Sequence, residues 1–462
     1  VVAALAYDVG MMLVERRDEQ NAADAAALAG ARYLVSDDPV AEAAAIAAAR
    51  DIALVNGFDD ADPDEIVNVY IPPIHGQYAG LPRFIEVQIE GTRPSIFGGI
   101  VGRATWPVGV MAVATNEQNL TFPFSMLSLD PTACKAIQVT GGGVVEAFGS
   151  IQANSSGADC SGPPIGFSRT GGSTINVFAD DSTCRAVGAI QDQGSGSMTC
   201  DKDDNSFALP DPLRDLDAPA EPGLAPAMVY AGSGTAPSMP PKNCPGRTDA
   251  DAPDRDNPQT CVLGNPSSTY AGLQWILYPG LYPGGLEVNN GTTAYLMPGI
   301  YWLGGGGFRT TTDGSVITIA TEADANPDPL LATWGGGVMI FNSELPNMAG
   351  GPISLGGSSA TLKLKDYEVL DTDPTFIYNN IVIFQDRALT ETVTLNGSSS
   401  NSEVEGVIYV PNGEVKLNGN GGTLTVDQII AGTFLIDGNG GTIEVLRRVG
   451  FDAVIVAAGL VE

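Results

Sequence analysis

The chain has 462 residues, 44% of them hydrophobic, which is enough for about two to four structural units with cores of their own. It has 54 acidic and 22 basic residues, and the net charge of −32 excludes binding to nucleic acid or anionic lipid through a basic surface. The 57 glycines, 32 prolines and single histidine are typical of a turn-rich exported protein rather than a metabolic enzyme.

The N-terminal segment is predicted to be helical. Residues 1–14 (VVAALAYDVGMMLV) are apolar apart from Asp8, and this run is shorter than the about 20 residues that cross a bilayer. We interpret the run as the outer half of a membrane segment or as the mature end left by processing. Residues 21–31 (NAADAAALAGA) have small side chains, which allow another helix to approach closely. A second helix is predicted from Pro39 to residue 55.

Residues 66–114 alternate between apolar and polar side chains. Strands are predicted over residues 67–71, 84–89 and 108–115, because alternation is typical of half-buried strands. A short helix is predicted over residues 94–102. The segment is therefore expected to form a small α+β unit.

From about residue 127 the chain consists of short apolar strands separated by glycine, asparagine and serine. VTLNG (residues 393–397), VKLNGNGGT (residues 415–423) and FLIDGNGGT (residues 434–442) recur at intervals of about 20 residues. PGLYPGG, which begins at Pro279, recurs in a similar way as PGIYWLGGG, which begins at Pro298. Because asparagine and glycine tolerate left-handed corners, these repeats predict a parallel β-helix. A jelly roll or β-sandwich is the alternative.

All six cysteines lie between residues 134 and 261. Their number is even, no CxxC motif occurs and none adjoins the histidine, so disulfides are favoured over a zinc site. Of the fifteen possible connectivities, sequence proximity favours Cys134–Cys160, Cys184–Cys200 and Cys244–Cys261. Residues 207–268 are rich in proline and aspartate, and we predict an ordered insertion that these disulfides pin to the β-helix.

The repeating region contains few candidates for catalysis. Hydrolysis needs paired carboxylates and lyase chemistry needs a base. The candidates are Lys363, Lys365, Asp366, Asp371, Asp373, Asp386 and Arg387. No motif places two acids on one strand face, so neither an enzyme nor an organic cofactor is expected.

Two acidic runs are candidate calcium ligands. Asp249, Asp251, Asp254 and Asp256 form one run, and Asp201, Asp203 and Asn205 form the other. Oxygen ligands at alternating positions suit Ca²⁺. Neither run has the glycine and glutamate of the twelve-residue calcium loop. Solvated acidic loops are therefore the favoured interpretation, with calcium as the alternative.

Residues 8–34 (DVGMMLVERRDEQNAADAAALAGARYL) resemble the N-terminal signature of TadE/TadG-like proteins of the tight-adherence (Flp) pilus system. That signature combines an apolar helix, an acidic residue with glycine, an arginine pair and the string QNAADAAALA. VYIPP (residues 69–73), RPSIFGGIVG (residues 93–102) and GVIYVPNG (residues 406–413) also resemble later segments of these proteins. The resemblance covers most of the chain, and the QNAADAAALA string is its most specific part.

The resemblance implies a bacterial cell-surface protein with a pseudopilin-like N-terminus, exported through the inner membrane and handled by pilus-assembly machinery. In processed pilins an acidic residue near the N-terminus pairs with the amino group of a neighbouring subunit. Asp8 is the nearest candidate for that role in this chain, although it does not lie at the usual position.

We therefore predict a mostly β protein with four segments. Residues 1–56 form helices for assembly or membrane anchoring, and residues 57–126 form a small pilin-like α+β unit. Residues 127–448 form a right-handed parallel β-helix with a disulfide-stapled loop insertion at about residues 207–268, and residues 449–462 form a C-terminal strand or tail.

The predicted function is that of an extracellular pilin-like subunit that forms a homopolymer through its N-terminal helix. It displays the β-helix for adhesion or attachment, with surface or glycan ligands. The residues predicted to mediate assembly are Val1, Val2, Leu5, Asp8, Val9, Met12, Ala22, Ala26, Ala29 and Gly30. The alternatives are a membrane-anchored adhesin or minor pilus component that does not polymerise alone, and a β-helix polysaccharide lyase or hydrolase.

Overall fold

The computed structural model describes residues 2–34, 39–59, 61–81, 83–178, 183–232, 235–264, 270–310, 313–318, 336–357, 360–397 and 402–461. The chain forms two compact units. Unit 1 comprises Val1–Thr121 and Val454–Glu462, and unit 2 comprises Phe122–Ala453. The helices and the small sheet were assigned to separate segments from the sequence, whereas in the structure both belong to unit 1.

Unit 1 contains two helices and one four-stranded sheet. The elements are α1 (Val2–Ala31), α2 (Pro39–Val55), β1 (Glu65–Tyr70), β2 (Phe84–Pro94), β3 (Thr105–Phe122) and β30 (Ala453–Leu460). The strand order is β1-β2-β3-β30, and β2 is antiparallel to both β1 and β3. The short helix predicted over residues 94–102 is only a 3-10 turn at Gly98–Val101, because β2 continues to Pro94.

The core of unit 1 consists of alanine-rich helix faces packed on the sheet. The buried helix residues are Ala22, Ala23, Ala26, Ala27, Ala31, Ala45, Ala49 and Ala53. They pack with Ile85, Val87 and Ile89 of β2. A Cβ atom on Gly30 would overlap the Ile85 side chain and lie 2.9 Å from the Ala45 carbonyl oxygen. Small residues in the second half of α1 therefore bring its backbone close to α2 and the sheet.

Unit 2 is built mostly from short strands that pair in parallel with the strand one coil away, in three ladders. Ladder one contains β4 (Phe124–Ser128), β7 (Ser150–Ala153), β10 (Thr183–Ala186), β12 (Asp201–Asp204), β16 (Gly280–Tyr282), β19 (Gly299–Leu303), β22 (Val338–Asn342) and β25 (Ile381–Gln385). Ladder two contains β5 (Ile137–Thr140), β8 (Ile165–Arg169), β11 (Ala189–Asp192), β14 (Cys261–Leu263), β17 (Leu286–Val288), β20 (Phe308–Thr310), β23 (Ile353–Gly356) and β26 (Val393–Asn396).

The third ladder completes each coil. It contains β6 (Val144–Ala147), β9 (Thr174–Val177), β15 (Gln274–Leu277), β18 (Thr293–Leu296), β21 (Ser315–Thr318), β24 (Leu362–Leu364) and β29 (Thr442–Val445). The long strands β27 (Ser402–Asn418) and β28 (Thr423–Asp437) bend through all three ladders, and β13 (Val229–Tyr230) lies antiparallel to β15. The inward side chains form one continuous apolar core.

The sequence repeats coincide with successive coils near the C-terminus. Val393 pairs with Val415, and Val415 pairs with Phe434, so each interval of the repeat is a single coil. Asn420 and Asn439 adopt left-handed φ values of 48° and 35° at the corners. These corners require residues that tolerate a left-handed backbone.

The first and last coils of unit 2 are neighbours in the stack. Strand β28 pairs with β4 and β5, and β29 pairs with β6, so the two chain ends of unit 2 meet inside the stack. From this junction the chain coils to β12 at one end, passes through the insertion to β14 at the other end, and coils back to β28.

Buried Gln428 holds the junction together. Its Nε2 donates to the carbonyl oxygens of Phe124, at 2.9 Å, and Phe451, at 2.8 Å. Its Oε1 accepts from the Phe451 amide at 2.7 Å. Arg447 Nε also donates to the Phe124 carbonyl oxygen, at 3.1 Å. One side chain thus joins the entry and the exit of unit 2.

The described residues contain three disulfides, and each joins cysteines that are sequence neighbours. Cys184–Cys200 links β10 to the residue before β12, at one end of the stack, and Cys244–Cys261 ties the insertion to β14. Cys134–Cys160 joins two corner loops, with Cα atoms 4.7 Å apart. Two disulfides thus lie at the stack ends, where coils have one neighbour only. Cys244–Cys261 staples the insertion, and all three pairings are those favoured from the sequence.

The first part of the insertion covers an outward-facing aromatic column on the stack. Trp302, Phe341, Phe384 and Tyr409 occupy the same position on successive coils, with ring centroids 5.1 to 5.6 Å apart. Because alternate residues of a strand face opposite ways, these rings lie outside the apolar core. They are nevertheless buried, since residues 207–228, the covering segment, contact this face.

Side-chain hydrogen bonds to backbone carbonyls hold the covering segment in place. Arg387 donates to the carbonyl oxygens of Leu213 and Leu216, and Trp302 Nε1 donates to that of Pro219 at 3.3 Å. The Tyr409 hydroxyl donates to Asp211 Oδ2 at 2.6 Å. These hydrogen bonds and the burial of Leu209 and Leu213 fix the covering segment.

Candidate assembly surface

Helix α1 has two halves with opposite exposure. Its first half exposes large apolar side chains: Tyr7, Val9, Met11, Leu13 and Val14. Leu13 is 63% exposed and Tyr7 is 51% exposed. These positions lie on several sides of the helix, and a helix that is apolar all round is normally covered by other protein or by lipid. We call residues 7–14 the exposed half of α1.

Asp8 is the buried exception in the exposed half, with 4% of its surface accessible. Its carboxylate accepts hydrogen bonds from Ser95 Oγ at 2.6 Å and from the backbone amides of Ile96, Phe97 and Gly98 at 3.2, 3.0 and 2.8 Å. The hydrogen bond from Ser95 and these amides lower the pKa of Asp8. The carboxylate binds groups of its own chain, and the pairing of Asp8 with the amino group of a neighbour stays a prediction.

Through its hydrogen bonds, Asp8 holds the loop at residues 95–98 against α1, and this loop is apolar. The loop that it binds exposes Ile96 and Phe97, and the rings of Tyr7 and Phe97 meet edge to face with centroids 6.1 Å apart. Sequence reasoning missed this contribution because residues 94–102 were predicted to be helical. The signal was a serine followed by two large apolar residues and two glycines.

The small-residue face of α1 is buried within unit 1. Ala22, Ala26 and Gly30 were predicted to contact other copies, but they are buried within unit 1 against α2 and the sheet. Ala29 is half-buried. Small side chains allow close helix packing within a subunit as well as between subunits, so the pattern alone does not distinguish the two.

The remaining predicted assembly residues lie in the exposed half of α1 or before it. Val9 is exposed and Met12 is half-buried. Val1 lies outside the described residues, as do the side chains of Val2 and Leu5. The prediction that these residues mediate assembly stays a prediction.

An ionic cluster fixes α1 to the sheet at the start of its buried half. Arg93 contacts Glu19 Oε1 through Nη2 at 3.0 Å, Glu65 Oε1 through Nη1 at 2.8 Å, and Glu15 at 3.7 Å. Burial raises the pKa of Glu19, and Arg93 opposes this shift. The cluster joins α1 to β1 and β2, which leaves the exposed half projecting beyond it.

Asp8→Asn is expected to destabilise unit 1 and to change its response to acid. Because the folded pKa of Asp8 lies below its ordinary value of 3.8, the carboxylate stabilises the fold above that pH. This stabilisation is lost as the pH falls through the folded pKa. Thermal unfolding followed by helical circular dichroism, from neutral pH to about pH 2, should show a lower and flatter profile for the variant. A variant profile parallel to that of the wild type would contradict this role.

The acidic run of the insertion is bound by basic side chains. Arg247 Nε contacts Asp249 Oδ1 at 2.9 Å and Lys242 Nζ contacts Asp251 Oδ2 at 3.0 Å. Asp254 Oδ1 accepts from the Asp256 amide at 2.9 Å. Among the described residues, no group of three or more histidine, cysteine or acidic side chains is arranged to hold a metal. Calcium binding stays a prediction, and Arg247 would compete with the ion.

The residues considered for catalysis have separate structural surroundings. Asp366 is buried, which raises its pKa, and Asp373 accepts from the Thr375 amide at the start of the 3-10 helix Pro374–Tyr378. Arg387 binds the covering segment. A cavity of about 610 Å³ beside the covering segment is lined by Asp130, Asn154, Asp211, Arg387 and Glu414, among others.

No helix in the described part of the chain combines the length and the apolar character needed to cross a bilayer. Residues 1–32 match a family model described as Flp pilus-assembly TadE/G-like, so the chain begins with a TadE/G-like segment. No curated protein matches the chain.

One solved structure similar to this chain is that of the competence-associated pilin ComZ from Thermus thermophilus. The identity is 10%, and the alignment covers 86% of this chain and 83% of that chain. The TM-score is 0.27, which is too low to support a conclusion about fold or function.

Proposed function

We propose that the chain is a structural, non-enzymatic subunit of a pilus-related surface filament. It assembles through the exposed half of α1 and displays unit 2, a right-handed parallel β-helix, for adhesion or surface attachment. The observation that carries this proposal is the difference between the two halves of α1, one buried in unit 1 and the other apolar and exposed. The TadE/G-like segment coincides with this helix.

Leaving large apolar side chains in water is costly. Full burial of each contributes about 1.5–3 kcal/mol, so covering Val9, Leu13 and Val14 would stabilise an assembly by several kcal/mol. The loop at Ile96 and Phe97 enlarges the same surface. Copies of the chain that pack around this surface would form the core of a fibre, with pilus-assembly machinery as the partner during export.

The properties of unit 2 fit display outside the cell. Its three parallel ladders support the β-helix, and its disulfides are typical of oxidising compartments. A net charge of −32 keeps an exposed polymer soluble and opposes non-specific association. Strand β12 places four exposed charged residues on the terminal edge, which blocks pairing with further strands there.

Leu13→Asp and Val9→Asp are expected to reduce filament assembly at least tenfold, because a charged side chain would have to be buried at the contact. The matched control is Val55→Asp, which places the same charge at an apolar position 79% exposed at the end of α2. Electron microscopy and sedimentation of material sheared from cells measure the filaments. Folding is checked by circular dichroism.

Three outcomes would contradict the proposal. Normal filaments from the Leu13→Asp variant would exclude α1 from the contact. A wild-type chain found only as single copies in membranes would favour the anchored adhesin or minor pilus component. Release of products from acidic polysaccharides would favour the enzyme.

A further inference from the structure

An exposed apolar loop lies on unit 2 between β24 and β25. Residues 368–378, here called the apolar loop, expose Leu370 (78%), Ile377 (54%) and Phe376 (44%) to solvent. Three such side chains on one short segment are unusual for a surface without a partner. None of them was singled out from the sequence.

The apolar loop is held in a fixed conformation by its own hydrogen bonds. The Asn379 side chain donates to the Val369 carbonyl oxygen at 2.8 Å and accepts from the Val369 amide at 2.9 Å. The Tyr367 hydroxyl and Thr375 Oγ1 are 2.7 Å apart, and the Tyr378 hydroxyl donates to the Asp217 carbonyl oxygen. These hydrogen bonds fix the backbone of the loop, which lowers the cost of ordering it on binding.

Acidic residues surround the apolar side chains of the loop. Glu368, Asp371 and Asp373 are all exposed in the same segment. A partner that fits this surface combines apolar side chains with adjacent positive charge. Because the whole chain has only 22 basic residues, few of its own surfaces have that combination.

The end of the exposed half of α1, together with the residues that follow it up to Arg17, has this combination. Leu13 and Val14 are followed by Arg16 and Arg17, and all four are exposed. The apolar side chains come first along the helix and the two guanidinium groups lie one turn further on. Helix and loop therefore share apolar character, and Arg16 and Arg17 carry the charge opposite to that of Glu368 and Asp371.

We propose that the exposed half of α1 in one copy docks on the apolar loop of a second copy, with Arg16 and Arg17 facing Glu368 and Asp371. This inference rests on the proposed function and specifies its contact. The two surfaces differ, so the interface is heterologous. The first copy keeps its apolar loop free, and the second copy keeps the exposed half of its α1 free. Such a contact propagates into an open fibre unless its rotation closes a ring.

The test is a charge exchange. Glu368→Lys with Asp371→Lys is expected to reduce assembly at least tenfold, as is Arg16→Glu with Arg17→Glu. The chain that carries all four substitutions is expected to recover most of the wild-type assembly, because the opposite charges face each other again. Asp159→Lys with Asp215→Lys is the control, since it makes the same charge change at exposed positions elsewhere in unit 2.

A further double variant removes the apolar contact without changing the charge. Leu370→Ser with Ile377→Ser is expected to reduce assembly at least tenfold while the circular dichroism and thermal unfolding stay unchanged. Both side chains are exposed, so their loss leaves the core of unit 2 intact. Sedimentation and electron microscopy are the measurements, as before.

The outcomes separate this inference from the proposed function. If Leu13→Asp abolishes assembly while the apolar-loop variants assemble normally, the docking inference is wrong and the filament proposal stands. The docking is also overturned if both double charge variants lose assembly and the chain with all four substitutions does not recover it. If the wild type stays single and binds phosphatidylglycerol vesicles through α1, both are overturned.

Discussion

Gln428→Leu is expected to lower the free energy of unfolding of unit 2 by about 2–4 kcal/mol. The substitution removes three hydrogen bonds, to the Phe124 and Phe451 carbonyl oxygens and from the Phe451 amide. Each polar group left without a partner costs about 1–3 kcal/mol. The Phe124 carbonyl keeps one donor, Arg447 Nε, which limits the loss.

Guanidinium unfolding, combined with hydrogen exchange of peptides from β4 and β28, measures this effect at the junction. Gln274→Leu is the control, because Gln274 is exposed on β15 and its replacement should change stability by no more than about 0.5 kcal/mol. Equal stabilities of the two variants would show that Gln428 does not hold the junction.

Arg387→Ala is expected to destabilise unit 2 by about 3–5 kcal/mol and to release the covering segment. Its guanidinium donates to the carbonyl oxygens of Leu213 and Leu216 and to the Tyr409 hydroxyl. It also lies 5.5 Å from the centroid of the Tyr409 ring. Loss of these contacts weakens the attachment of the covering segment to the aromatic column.

Limited proteolysis and hydrogen exchange of residues 207–228 report the release directly. Arg214→Ala is the matched control, since Arg214 lies in the covering segment itself but its side chain is 71% exposed. The control should be cleaved at the wild-type rate. If Arg387→Ala is cleaved at that rate as well, the covering segment is held by other contacts.

The sequence repeats at residues 393–442 predicted the coils of unit 2, because the same residue types recur where strands of successive coils pair in register. Val393, Val415 and Phe434 occupy one position on successive coils, so periodicity in the sequence corresponds to stacking in space. The two PGxY segments show where this rule fails. Alignment of the two motifs would pair Tyr282 with Tyr301, but Tyr282 pairs with Leu303, because the register of the strands there differs from the repeat.

Contacts between distant, non-repeating residues were not predictable. Gln428 and Phe124 are 304 residues apart and belong to no shared motif, so the meeting of the first and last coils has no sequence signal. Asp8 likewise depends on Ser95, 87 residues away. The alanine pattern of α1 predicted close helix packing, whereas the choice between its own sheet and another copy depends on the position of β2.

The meeting of both ends of unit 2 inside its stack has an evolutionary consequence. Coils can be gained or lost at the β12 end or at the β14 end while Gln428, Phe124 and Phe451 keep their positions. The strands that lead out of unit 2, β3 and β30, then remain adjacent in the sheet of unit 1. The number of coils in either arm can therefore change without any change in the sheet of unit 1.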